Sequence, residues 1–202
     1  MWLPFYLMHE RHLSMPAMAK TLAVYYLVDA ASALATGWPT DLWIRRGSTT
    51  TVVRKSAMAL GWTTAAVGLA GCALAGSRFY WGWLMTTAVG CGMGKSGTFA
   101  FAQTLAGPQA AGKWTGLQNG FGNLAGVVAP ALTGFLVDWS GNFQAALAIT
   151  AGVSLLSAMS WVFLVGQVKQ VAWDRRSTRR CSARLASPRS NRERLAGRWT
   201  RS

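Results

Sequence analysis

Five apolar runs constrain this chain more than any other feature: Ala17–Thr36, Ser56–Ala75, Phe79–Ala102, Leu117–Val137 and Phe143–Val165. Each is about 20 residues long, the length a helix needs to cross a hydrocarbon core roughly 30 Å thick. Short loops join them, so almost no polar surface remains for a soluble fold. The chain reads as an all-α, polytopic membrane bundle. Its mean hydropathy of +0.23 understates this, because a basic tail dilutes the value.

The segment before the first run is too short to span. "MWLPFYLM" has eight residues, which rise only ~12 Å as a helix. It lacks a charged n-region and a small-residue cleavage site, so it is not a signal peptide. It reads as the outer end of a spanning helix whose beginning is missing. Helices are therefore expected at about 1–8 (truncated), 17–37, 56–76, 79–104, 116–138 and 143–166.

Charge sets the orientation. Residues 1–173 carry ten Lys/Arg and four Asp/Glu; residues 174–202 carry ten Arg and two acids. Taking loops on alternate sides, one side holds Arg45, Arg46, Arg54, Lys55, Lys113, Lys169 and the tail, against Arg11, Lys20 and Arg78 on the other. The positive-inside rule puts the first side, with the C-terminus, in the cytoplasm. Trp2, Tyr80, Trp81, Trp83 and Trp139 fall near one interface. Trp38, Trp43, Trp114 and Trp173 fall near the other, as aromatic belts do. The tail, poor in large apolar residues, is expected to be a disordered topology anchor rather than a nucleic-acid arm. Cys72, Cys91 and Cys181 show no metal-ligand spacing, and no metal or cofactor is expected.

A repeat is legible. "ALATGWPTDLW" from Ala33 and "PALTGFLVDW" from Pro130 share Thr-Gly-x-x-x-Asp, with Gly37/Asp41 and Gly134/Asp138. Three crossings lie between the copies, so they belong at opposite faces. This is the signature of inverted three-helix repeats, a recurring plan of secondary transporters. Gly37 allows close helix approach, and Asp41 can face a helix N-terminus. Arg45, Arg46, Arg54 and Lys55 hold the loop inside. The set reads as a gating latch, with a plain topology signal as the competing reading.

Charges at bilayer depth are functional suspects. Asp29 and Lys95 lie near the middle of their runs, and their depths differ by ~6 Å at 1.5 Å per residue. They are expected to pair or to share a polar cavity. Lys95 would attract an anion while Asp29 tunes it or carries a proton; a structural ion pair or a snorkelling lysine competes. Gly116/Gly120 and Gly122/Gly126 have the spacing of packing seams, and Pro130 permits a kink. Two lookalikes fail. "GCGMGKSG" lacks the first glycine of a phosphate-binding loop and lies inside a spanning run. "HERH" puts His9 and His12 three apart, which is not His-Glu-x-x-His.

The Gly-x-x-x-Asp…Arg-Arg-Gly loop from Gly37 to Gly47 resembles the cytoplasmic loop motif of the major facilitator superfamily. "WLPFYLMHERHLS", Trp2 to Ser14, resembles the outer end of the seventh helix in that superfamily's anion:cation symporter family. "GLQNGFGNLAGVVAPALTGFLVD", Gly116 to Asp138, resembles the eleventh. The resemblance covers about residues 1–173. It implies the C-terminal half of a carrier, entered midway through the seventh helix, whose partner is a missing N-terminal six-helix half. It also implies substrate contacts. "KSGTF" places Ser96 and Thr98 like the tenth helix's Ser-x-Thr-aromatic step, and Asn123 matches a polar contact of the eleventh helix. Asn119 lies one turn from Asn123; Gln118 is off that face. Interhelical bonding by these residues is the competing reading.

The expected function is transport of small organic anions, sugar acids or related carboxylates, with a proton, across the plasma membrane (the inner membrane of a bacterium). The lipid bilayer is its surroundings, nucleic acid is not a partner, and no bond is made or broken. Two other classes stay open: a membrane-anchored interaction module using the basic tail, and an inactive truncated product.

Overall fold

The computed structural model describes residues 3–74, 79–167 and 171. Every element among them is a helix: α1 Leu3–His9, α2 Met15–Arg45, α3 Thr50–Leu74, α4 Tyr80–Ser140 and α5 Gln144–Phe163. The basic tail, Trp2, Arg78, Lys169 and Trp173 lie outside the described residues. Helices α3, α4 and α5 are each long and apolar enough to cross a membrane.

Local chemistry explains where the helices start and stop. Pro16 sits in the first turn of α2, where its missing N–H costs nothing. The helix runs past the expected end at 37, through Pro39, to Arg45. Within that turn the Thr40 hydroxyl donates to the carbonyls of Thr36 and Gly37, both at 2.8 Å. It adds bonding where Pro39 cannot donate. Gly47 then takes φ 98°, and its N–H donates to Ile44 O at 3.0 Å. A left-handed glycine just past a helix end is the usual stop, which accounts for the Arg-Arg-Gly sequence. Gly47→Ala should lower stability by about 1 kcal/mol, since a side chain is disfavoured there; thermal unfolding in detergent measures it.

Helix α4 corrects the expected boundaries. A loop was expected between 104 and 116, yet the chain is helical from Tyr80 to Ser140 except at Gly107, with φ 65° and ψ 175°. Pro108 follows as the first residue of a new helical arm, a position that suits it. The break is thus one Gly-Pro step, and α4 consists of two arms, 80–106 and 108–140. The glycine steps in the second arm also differ from expectation. A Cβ at Gly116, Gly120, Gly122 or Gly126 would meet nothing within 4 Å. That arm is largely exposed: beyond Gly107, Thr133 is its one buried residue.

The first arm packs tightly instead. A Cβ at Gly90 would strike the backbone of Ala65 and Gly61, one at Gly94 the Trp62 ring, and one at Gly97 the Met58 side chain. One at Gly92 would strike the Asp29 carbonyl on the opposite flank. The glycines that suggested a phosphate loop therefore let α3 and α2 approach α4 from two sides. At the α1 end, Tyr6 and Leu7 are buried against Tyr25, Leu69, Leu84, Phe143 and Leu147. Elsewhere large apolar side chains face outward, among them Leu27, Leu60, Val127, Phe135 and Leu156. In water this would be a liability; against lipid it is required.

Candidate functional site

The two mid-run charges meet. Lys95 Nζ on α4 donates to both carboxylate oxygens of Asp29 on α2, at 2.9 Å each. Gly92, one turn before Lys95, makes this possible by letting the α2 backbone come close. One turn earlier on each helix stand Tyr25 and Cys91, which line a neighbouring cavity together with Lys95. Tyr25 and Asp29 lie four residues apart on α2, as Cys91 and Lys95 do on α4, so each set shares one helix face. The pair is asymmetric: the Asp29 side chain is 14% exposed and the Lys95 side chain 49%. The carboxylate is shielded while the ammonium reaches open space, so Lys95 can exchange partners without a large desolvation cost.

That open space is a cavity of about 750 Å³ between α2 and the first arm of α4, which includes Lys95, Ser96, Gln103, Thr104, Asp41 and Arg54 in its wall. Ser96 lies on the α2 side, 3.8 Å from where a Cβ of Gly37 would stand. Gln103 and Thr104 escaped the sequence reading. Their spacing from Ser96, seven and eight residues on, repeats one helical face, and two polar residues directly after the apolar run that ends at Ala102 were the available signal.

Three expected contacts do not join this group. Thr98 donates to Gly94 O at 2.9 Å and lies 3.6 Å from Met58 Sδ, so it is turned toward α3. Asn119 and Asn123 are exposed on the second arm of α4. Asn123 Nδ2 donates to Asn119 O at 3.0 Å, which ties the pair to its own helix. The break at Gly107 puts both on a different arm from Lys95.

At the far end of the cavity, Asp41 pairs with Arg54 Nη2 at 3.1 Å. Arg54 stands in the opening turns of α3, so the acid is joined to that helix by a side chain. Arg45 and Arg46 do not take part: both are exposed at the end of α2. Of the four cations expected around this loop, Arg54, seven positions after Gly47, is the one that pairs with Asp41. Asp41 is 58% exposed, so the pair is worth less than about 1 kcal/mol in stability. Gly37 and Gly134 lie at opposite ends of the bundle, the first near Ser96 and the second beside Phe5 and His9. No group of three His, Cys, Asp or Glu able to hold a metal occurs among the described residues.

Known proteins share this arrangement of sequence. The chain is 32% identical over 151 residues to "Probable anion transporter 2, chloroplastic" of Oryza sativa subsp. japonica, covering 74% of this chain and 28% of that protein. It is 29% identical over 171 residues to "Probable galactarate/D-glucarate transporter GarP" of Escherichia coli strain K12, covering 84% and 38%. It is 28% identical over 170 residues to the "D-galactonate transporter" of Escherichia coli O6:H1, covering 84% and 39%. The chain spans little more than a third of the length of these relatives at most. The family model for the Major Facilitator Superfamily matches residues 1–199. Membrane-length helices, an Asp-Arg pair closing the Gly37–Gly47 loop and a charged pair at mid-helix all lie within that match, and the chain belongs to the major facilitator superfamily.

Proposed function

We propose that this chain forms part of a carrier for small organic anions, sugar acids in particular, moved together with a proton across the plasma membrane. It crosses the membrane several times with its C-terminus in the cytoplasm, and a second six-helix bundle supplies the other wall of the path. No covalent bond changes. The observation that carries the reading is Lys95: within a region similar to sugar-acid transporters, it stands half exposed in a cavity beside Ser96.

The pair suggests how charge is kept in balance. A substrate carboxylate can take the ammonium of Lys95 from Asp29. Asp29, left without that partner, would carry the proton that moves with the anion. A monocarboxylate such as D-galactonate and one proton would enter as one neutral addition, whereas a dicarboxylate such as galactarate would bring one net negative charge. Ser96 is placed to donate to a carboxylate or hydroxyl oxygen.

The test uses the chain joined to an N-terminal six-helix bundle in proteoliposomes, with uptake of labelled galactarate or D-galactonate driven by an inward proton gradient. Lys95→Ala should reduce uptake by at least about tenfold with insertion unchanged. Normal uptake by that variant would remove Lys95 from the site.

A further inference from the structure

The cavity that Tyr25 and Cys91 line together with Lys95 measures about 300 Å³, and the mechanism above makes no use of it. Four helices contribute to its wall: α2 through Tyr25, α3 through Trp62, the first arm of α4 through Thr87, Cys91 and Lys95, and α5 through Thr150 and Ser154. Leu69, Leu84 and Leu147 add apolar surface. A concave, mostly apolar space with a few fixed polar groups is the usual form of a small-molecule site, and ~300 Å³ is the lower end of the usual range. Thr87 and Lys95 stand eight residues apart on one helix, which is ~12 Å at 1.5 Å per residue. An extended six-carbon chain spans roughly 6 Å at ~1.5 Å per bond, so it fits along that wall.

The polar groups in the wall are of two kinds. Among the described residues, Lys95 is the one side chain there that carries a charge at neutral pH. Trp62 stands at the same level, because its ring packs on Gly94, and its Nε1–H is buried without a hydrogen-bond partner. A ligand oxygen reaching that point would remove the cost of the orphaned donor. The aliphatic hydroxyls offer the opposite. Thr87 Oγ1 donates to Trp83 O at 3.0 Å, Thr150 Oγ1 to Ala146 O at 2.7 Å and Ser154 Oγ to Thr150 O at 2.9 Å. Each has committed its one proton to its own helix, so only its lone pairs remain for a ligand.

We propose that this cavity holds the hydroxylated chain of a monocarboxylate sugar acid, an aldonate, with the carboxylate on Lys95 and with Thr87, Thr150 and Ser154 accepting from its hydroxyls. The inference rests on the reading of Lys95 as an anion anchor and narrows the substrate class. An aldonate has one carboxylate and a row of hydroxyl donors, which matches one ammonium and a set of acceptors. An aldarate carries a second carboxylate. In this cavity that group would find no second cation, and the three hydroxyl oxygens would turn lone pairs toward it. An unpaired charge in such surroundings costs far more than a hydroxyl that donates. The cavity therefore selects D-galactonate over galactarate, and Thr150 and Ser154 on α5 take part in the choice.

Cys91 lies in the wall, so its alkylation reports occupancy on the chain itself, in nanodiscs with Cys72 and Cys181 replaced by alanine. D-galactonate should protect Cys91 at a concentration at least about tenfold below that required of galactarate. Thr150→Val and Ser154→Ala should each raise the D-galactonate concentration needed by about fivefold, the loss of one neutral hydrogen bond. Thr150→Lys, which supplies a second cation, should shift the preference toward galactarate. Equal protection by the two acids, or protection by D-galactonate that neither α5 variant changes, overturns the proposal. Protection of Cys91 with no uptake by the joined carrier would support this inference and sink the transport reading. Uptake that Lys95→Ala abolishes, with Cys91 never protected, would do the reverse.

Discussion

Lys95→Ala should destabilise the chain more than the double change Lys95→Ala with Asp29→Asn. The single change leaves a carboxylate, 14% exposed, without the ammonium that neutralises it. Breaking a fully buried pair costs about 3–5 kcal/mol. Lys95 is half exposed, so the loss here should be nearer to about 2 kcal/mol. Asp29→Asn should cost less, about 1 kcal/mol, because the orphaned ammonium can stay hydrated. The double change leaves no orphan ion and should cost about 1 kcal/mol, giving a coupling of roughly 2 kcal/mol. Thermal unfolding of the four proteins in one detergent measures the cycle. Additive losses would mean that the 2.9 Å contact contributes nothing to stability.

The second large effect is a reversal of sign among glycines. Gly90→Ala and Gly92→Ala should each destabilise by about 1–3 kcal/mol, because the new Cβ meets backbone that cannot swing aside. Gly92→Ala should also push α2 away from α4, so the coupling between Asp29 and Lys95 should shrink in that background. Gly120→Ala should do the opposite. Nothing lies within 4 Å of its Cβ, and alanine is favoured over glycine in a helix by up to about 1 kcal/mol. The same melting assay reads all three. A destabilising Gly120→Ala would show that the second arm of α4 is packed at that point.

How far the primary sequence carries can be judged from particular residues. Membrane helices were legible because apolar length is a property of each segment alone, and lipid makes the same demand of every segment. Family membership was legible because the Gly37–Gly47 loop is contiguous. Asp29 and Lys95 could be paired on depth, since a charge in an apolar layer must find a partner and these two lay at similar depth. Other features required the tertiary structure. The sequence shows glycines at 90, 92, 94, 97, 116, 120, 122 and 126. Only packing distinguishes the first four, which admit a neighbouring helix, from the last four, which admit none. Thr98, Asn119 and Asn123 are as polar as Ser96, but a hydroxyl or amide can bond its own helix, so polarity does not say which way it points. Arg54 rather than Arg45 or Arg46 meets Asp41 because left-handed Gly47 reverses the chain and brings the opening turns of α3 back beside the end of α2. One Gly-Pro step at 107 and 108 separates Lys95 from Asn123. A single backbone angle there decided which polar residues share a cavity, and no local pattern encodes the direction in which the chain leaves such a turn.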